Sequence, residues 1–332
     1  MSAGLGTHTL RTPGTRKYAL LYRSPEEAGK HLTRPAIAIG NFDGVHVGHR
    51  HVIDTVLEVA RRNAVSAAVL TFEPHPVQYF RPELPPFRLS TLEQKARLLE
   101  SLGVDGVVAA TFDKSIANLS PEEFVRGILA QALRASAVFV GADFRFGRNR
   151  AGDVDVLRSL ASQHGIEVHI VEPVRRGDEI VSSTRIRTAV RDGDLPTATR
   201  LLGQPYRIIG RVVHGAGNGR EFGYPTANIE SGNPLLPPDG IYATRLLHAR
   251  HGTLAAATYV GTRPTLGDEL ARTVEAYCLH APADFVIYGD EVQLEFVERV
   301  RPDARFDSVD ALIEQMGRDV QRIAEILEEP PD

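Results

Sequence analysis

The chain has 332 residues, enough for about two domains at ~150 residues each. Its 42% hydrophobic and 24% charged residues exclude a disordered or collagenous chain, and a net charge of −4 (38 basic against 42 acidic) removes the global electrostatic case for a nucleic-acid coat or a membrane-surface protein. One cysteine, Cys278, permits neither an intrachain disulfide nor a cysteine zinc cluster, and no apolar run approaches the ~18 residues of a spanning helix, so a soluble protein of a reducing cytoplasm is expected.

Residues 1–16 are small, polar and aperiodic and read as a flexible leader. From Ala36 to about Val174, short β-branched runs alternate with helical patterns. Strands are expected at Ala36–Ile39, Ala67–Phe72, Gly106–Ala110, Ala137–Val140 and Glu167–Val171. Helices are expected through Val52 to Ala60, over Leu92–Leu102, from Ser120 onward, and near Val154–Gln163. Strand and helix taking turns predicts an α/β domain with a doubly wound parallel sheet, over residues 17–203. A helical stretch from Arg185 to Leu202, broken at Gly193 and Pro196, leads to Gly203-Gln204-Pro205, where the texture changes. Residues 204–332 carry runs at Tyr206–Val213, Gly240–His248, Leu254–Val260, Thr273–Leu279 and Glu291–Val300 with no helix between them, the pattern of an antiparallel barrel or sandwich. A closing helix from Ser308 to about Leu327 presents one apolar stripe, Val309, Leu312, Ile313, Met316, Val320, Ile323 and Leu327, to pack on it.

Only four lysines occur, Lys17, Lys30, Lys95 and Lys114, so phosphate would be held by guanidinium groups or backbone amides. The one Gly-Lys pair, Gly29-Lys30, is followed by His31 and is not a P-loop. The first site candidate is Gly40-Asn41-Phe42-Asp43-Gly44-Val45-His46-Val47-Gly48-His49, where the first long strand gives way to a helix. Glycines permit close approach, the amides of a helix start favour anions, and His46 and His49, three apart, share a face of the first turn. Taken alone the histidines also admit a surface or metal-binding role. Val181-Ser182-Ser183-Thr184-Arg185-Ile186-Arg187 offers hydroxyls and amides at a second helix start, with Arg187 one turn in. In the C-terminal half, four glycines, Gly215, Gly217, Gly219 and Gly223, lie within nine residues and precede Tyr224-Pro225-Thr226-Ala227-Asn228. By composition alone that loop reads first as a flexible hairpin, and Pro225 rules out a dinucleotide-binding helix after it. Cys278, without a partner, reads as core filler.

The run Gly40–His49 is similar to the signature of nucleotidyltransferases that transfer AMP with release of pyrophosphate. In particular it resembles the prokaryotic bifunctional riboflavin kinase/FAD synthetase family. Thr71-Phe72-Glu73-Pro74-His75-Pro76, Val140-Gly141-Ala142-Asp143-Phe144-Arg145-Phe146-Gly147, the Ser182–Arg187 run and Pro225-Thr226-Ala227-Asn228 resemble further motifs of that family. The resemblance implies two Mg²⁺-dependent activities, phosphorylation of riboflavin to FMN by ATP in the C-terminal domain and adenylylation of FMN to FAD in the N-terminal one. It implies ATP phosphate contacts at Gly40, Asn41, Phe42, Asp43, Gly44, His46, His49, Ser182, Ser183, Thr184 and Arg187, with the two histidines and Arg187 acting in catalysis. It implies phosphate contacts at Gly215, Gly217 and Gly219, Mg²⁺ on Thr226 and Asn228, Glu275 as the base, and flavin near His75, Asp143, Phe144, Gly223, Tyr224 and Pro225; Arg148 is expected near the first site. Small molecules are the only partners it implies, with neither nucleic acid nor membrane. A transferase for another acceptor, such as pantetheine phosphate, and a non-catalytic flavin-binding protein are the rival expectations.

Overall fold

Alternating side-chain directions along short strands build the N-terminal half, seen in a computed structural model that describes residues 21–214, 224–233, 235–264, 270–282 and 285–328. The leader and the glycines at 215, 217, 219 and 223 lie outside the described residues. β1 (Leu21–Tyr22), β2 (Ala36–Ile39), β3 (Ala67–Glu73), β4 (Gly106–Thr111), β5 (Ala137–Gly141) and β6 (Glu167–Val171) form one parallel sheet in the order β1-β4-β3-β2-β5-β6. On one face Ala36, Ala38 and Phe139 pack against Ile53 and Val56 of α2 (Val47–Asn63) and Leu99 of α4 (Leu92–Ser101). On the other, Ile37, Val138 and Val140 meet Phe124, Leu129 and Leu157. The chain leaves β2 toward β3 on one side and returns to β5 on the other. The carboxyl ends of β2 and β5 therefore flank the crevice where open parallel sheets bind ligands.

The short helices α1 (Pro25–Ala28), α3 (Pro76–Phe80), α5 (Lys114–Ala117) and α6 (Pro121–Glu123) complete this half with α7 (Val154–Ser162). The helix expected from Ser120 begins with the capping box its sequence suggests, then continues as a π-helix over Phe124–Ala132. Residues five apart share a side in that register, which buries Phe124 and Leu129 together. A small hairpin, β7 (Arg175–Arg176) with β8 (Glu179–Ile180), precedes α8 (Ser183–Asp192) and α9 (Leu195–Leu202); Gly193 at φ 77° makes the expected break between the two helices.

The C-terminal half is a closed six-stranded antiparallel barrel, β10-β13-β12-β11-β14-β9, built from β9 (Tyr206–Val213), β10 (Ala227–Ser231), β11 (Gly240–His248), β12 (Gly252–Pro264), β13 (Leu270–Cys278) and β14 (Glu291–Pro302). β10 is the strand absent from the sequence reading: Ala-Asn-Ile-Glu-Ser has little β propensity and is held by pairing on both sides, with β9 and β13. The final helix, α10 (Val309–Glu328), lies on the outside of the barrel against β11, β12 and β14. Ile323 seals against Ala243 and Leu279, whereas Val309 is 54% exposed and Leu312, Met316 and Val320 face a cavity. The stripe is thus not one continuous seam, because its N-terminal part covers a hollow and not a packed surface.

The two halves are joined by more than a linker. Buried residues of α8 and α9, among them Ile186, Val190, Leu195 and Leu202, share one apolar cluster with the barrel interior. Asn233, 5% exposed, accepts from the Ile209 N–H (2.9 Å) and donates to the Leu89 carbonyl (3.1 Å). Gln94 donates to the Arg207 carbonyl, and Arg97 forms a bidentate pair with Glu291 (2.7 and 3.2 Å). Asn233→Ala leaves a buried N–H and a buried carbonyl unmatched and is expected to cost about 1–3 kcal/mol. Denaturant unfolding of the two proteins checks this, and a loss below about 0.5 kcal/mol, the range of an ordinary surface change, refutes it.

Candidate functional site

The turn between β2 and α2 is strained and tightly held. Phe42 (φ 47°), Gly44 (φ 81°) and Val45 (φ 44°) all have left-handed backbones, and such residues cost of order 1–3 kcal/mol each unless glycine. Their surroundings over-determine them. A Cβ on Gly44 would stand 3.0 Å from Leu89 and 3.1 Å from Leu202. The Asp43 carboxylate, 2% exposed, accepts from the Leu89 and Ser90 N–H groups (2.9–3.2 Å) and from Arg187 Nε and a terminal guanidinium nitrogen (3.1 and 2.7 Å). Ser183 Oγ donates to the Asp43 carbonyl (3.0 Å), which fastens the start of α8 to the same turn.

These contacts place several of the expected site residues. Asp43 turns inward and binds protein donors. Arg187 is committed to it, with its guanidinium 4.9 Å above the Phe87 ring. The Gly44 N–H donates to Ser90 Oγ (3.1 Å), and the His49 N–H to His46 Nδ1 (3.2 Å), so neither amide points at a ligand. The histidines stack instead of standing side by side, with ring centroids 3.5 Å apart and 14° between planes; Phe42 flanks His49 at 4.9 Å. Gly48 makes room for the stack, since a Cβ there would lie 3.2 Å from the His46 ring. Asn41 and Gly40 form the rim: the Asn41 carbonyl accepts from Thr71 Oγ1 (3.2 Å) and the Gly40 N–H pairs with Leu70. Ser182 caps α8 and Thr184 is exposed beside it, so the N-terminal ends of α2 and α8 converge on one crevice.

Burial pushes the His46 imidazole down to about 4, against attraction from Asp43. His49 is held well below its usual 6.5, by burial first and then by His46 and Lys95. His75, which caps α3 by accepting from Val77 N, is likewise pushed to about 4, by burial first and then by Arg187. Lys95, unassigned by its motif-poor helix, is 5% exposed and joins the site through Thr71 Oγ1 (3.1 Å). Burial lowers it to about 8. Nearby, Tyr79, Phe80 and Phe112 form a mutually edge-on aromatic group, and Phe80 is 63% exposed. The β5 loop ends the same crevice: Asp143 and Arg148 are exposed, while Phe144 stacks on Phe146 at 5.5 Å.

The second site lies on the barrel's outer wall beneath α10. Register places Asn228 of β10 opposite Glu275 of β13, Glu275 opposite Tyr259 of β12, Tyr259 opposite Ile241 of β11, and Ile241 opposite Arg301 of β14, a row on one face of the sheet. Glu275 is buried, 8% exposed. It lines a cavity of about 390 Å³ with Tyr224, Thr226, Tyr277, Leu312 and Met316. Arg301, its guanidinium 5.6 Å from the Phe306 ring, is bidentate to the buried Asp319, which Gln315 also holds (2.8 Å). Sequence reasoning missed Tyr259, Arg301 and Asp319, since only the register of distant strands and the docking of α10 on them bring these together. Pro225 is exposed at the cavity's rim.

A crevice-bearing parallel sheet with a histidine pair, joined to a barrel with a buried glutamate, defines a two-domain nucleotide-dependent transferase. Two family models match in tandem, FAD synthetase over residues 29–185 and riboflavin kinase over residues 202–327. The chain is 36% identical over 283 residues to the bifunctional riboflavin kinase/FMN adenylyltransferase of Escherichia coli K12, covering 85% of this chain and 90% of that one. To the Haemophilus influenzae protein of the same description it is 35% identical over 301 residues, covering 91% and 97%. A crystal structure from Streptococcus pneumoniae, described as a macrolide-efflux protein, matches with a TM-score of 0.80 at 30% identity over 92% of this chain and 98% of that one. The chain belongs to the bifunctional riboflavin kinase/FAD synthetase family. Among the described residues no helix is long and apolar enough to cross a membrane.

Because His46 and His75 titrate near 4 when folded and near 6.5 when unfolded, the unfolded chain binds more protons between those values, and stability falls as pH drops from about 6.5 toward 4. Each histidine contributes at most about 3 kcal/mol to that loss. Denaturant midpoints across this range should show it, and His75→Gln should flatten the profile; an unchanged slope in that variant would contradict the assignment.

Proposed function

We propose that the barrel phosphorylates riboflavin with ATP to give FMN, and that the N-terminal domain then joins AMP from a second ATP to FMN, giving FAD and pyrophosphate. The observation that carries this reading is the pair of separate sites. A stacked His46–His49 pair stands at the carboxyl ends of β2 and β5, and a buried Glu275 opposite Asn228 stands in the barrel wall. Residues 17–203 carry the adenylyl transfer and residues 204–332 the phosphoryl transfer.

In the barrel, Glu275 orients the attacking hydroxyl of riboflavin and takes its proton, with the ring system in the cavity among Tyr224, Tyr277 and Met316. Thr226, at the cavity edge, and Asn228, across from Glu275, supply neutral hard oxygens of the kind Mg²⁺ accepts while phosphate and water complete its shell. When bound there, Mg²⁺ neutralises charge on the nucleotide phosphates. In the N-terminal site the acceptor is a phosphate, already an anion, so no strong base is required. His46, His49, Ser183 and Thr184 line the triphosphate side. Neutral imidazoles at pH 7 become better donors as a polyanion raises their pKa values. Arg187 positions the turn by holding Asp43. The exposed face of Phe80 suits the flat isoalloxazine ring. A transferase for pantetheine phosphate is disfavoured by the barrel, which such a reaction would not use. The single thiol, Cys278, is buried and pushed up to about 12 by that burial, which leaves it unreactive.

Chromatographic separation of flavins after incubation with riboflavin, ATP and Mg²⁺ tests the division of labour. His49→Ala should lower FAD formation by about 10²-fold or more and leave FMN formation near wild type. Glu275→Gln should do the converse when FMN is supplied, by about 10²-fold or more on phosphorylation. Equal loss of both activities from either change would refute it.

A further inference from the structure

Lys95 is a buried ammonium with too few partners. Its Nζ makes one hydrogen bond, to the neutral Thr71 hydroxyl, and no carboxylate of the described residues lies within 4.0 Å. An ammonium carries three donors and is strongly hydrated, so burial with one neutral acceptor is costly unless an anion completes the site. The nearby acids are taken: Asp43 by Arg187 and backbone amides, Glu73 by Arg88 at 2.6 Å. Thr71 in turn donates to the Asn41 carbonyl, which fixes Nζ at the carboxyl ends of β2 and β3. From there its positive charge reaches the imidazoles of both His49 and His75.

Resting on the adenylyl-transfer reading above, we infer that the Lys95 ammonium holds the phosphate of FMN and turns one of its oxygens toward the α-phosphorus of ATP. That oxygen forms the new P–O bond. The bond from the α-phosphorus to the bridging oxygen breaks, and pyrophosphate leaves with the electron pair, so no proton has to be removed. A phosphate monoester is mostly a dianion at neutral pH and matches a buried ammonium whose one hydrogen-bond partner is a neutral hydroxyl. Lys95 thereby selects a phosphorylated flavin over riboflavin as acceptor, which keeps the second reaction behind the first.

The test uses the full chain with Lys95→Met, which keeps the stem and removes the charge, together with Lys95→Arg and Thr71→Val. Calorimetric titration with FMN and separately with ATP, and steady-state FAD synthesis, give the readouts; riboflavin phosphorylation by the barrel is the folding control. In Lys95→Met the KM and Kd for FMN should rise about 10- to 100-fold, the range of a lost charge-assisted hydrogen bond, with ATP affinity retained. Lys95→Arg should recover part of the loss, and Thr71→Val, which frees Nζ from its anchor, should fall between. In wild type, kcat/KM for FMN should decline above pH 8, where the free ammonium deprotonates among Asp43, Glu73, Arg88, His49 and His75, and that limb should vanish in Lys95→Met. Unchanged FMN affinity, or equal loss of FMN and ATP binding, overturns the inference. A wild-type chain that makes FMN yet forms no FAD from FMN and ATP overturns instead the reading it rests on.

Discussion

The buried carboxylate of Asp43 is the constraint on which the N-terminal site depends. A buried charge is tolerable only when its lone pairs are matched, and here two backbone amides and the Arg187 guanidinium match them. Those three donors come from the loop before α4 and from α8, elements roughly 50 and 140 residues away in sequence. Satisfying one charge therefore forces the β2–α2 turn into its left-handed backbone, brings the α8 N-terminus beside that of α2, and leaves His46 and His49 stacked at the mouth. The site is assembled by the needs of a group that faces away from it.

The same loop carries the connection to the barrel. Leu89 gives its N–H to Asp43 and its carbonyl to Asn233, and Asn233 receives the Ile209 N–H. Ser231, at the end of the strand that bears Asn228, accepts from the Asn233 N–H (3.1 Å). A continuous line of hydrogen bonds thus runs from the β2–α2 turn to β10. The apolar cluster shared by α8, α9 and the barrel interior makes this junction a packed one. Rigid placement of both candidate sites on one body suits phosphoryl and nucleotidyl transfer, where positioning contributes strongly to catalysis.

Much of this was legible in the residues. Alternation of strand and helix marked the parallel sheet, and glycine and proline marked the turns; of the motif residues, His46, His49, Ser182 and Ser183 fall at two helix starts in one half, while in the other Asn228 stands opposite Glu275, with Thr226 on the same cavity as Glu275. The misses share a cause. β10 and β1 have no strand signal of their own and exist through pairing; the π-helical register after Glu123 answers to the burial of Phe124 and Leu129; the α10 stripe in part covers a cavity that only the barrel wall creates. That Asp43 and Arg187 face each other is likewise not revealed by anything local, since 144 residues separate them.

By itself, then, the sequence determined the class of each half, the order of its elements, and the residue types able to handle phosphate, since periodicity, turn chemistry and motif spacing are local properties. Tertiary structure alone decided which of those groups are spent on the protein and which are left for a substrate. Lys95 shows the difference: in the sequence it is one lysine on an amphipathic helix, and in the fold it is a buried cation held by the Thr71 hydroxyl. Burial and distance to distant charges set its chemistry, and both come into being only when strands far apart in the chain are brought into one sheet.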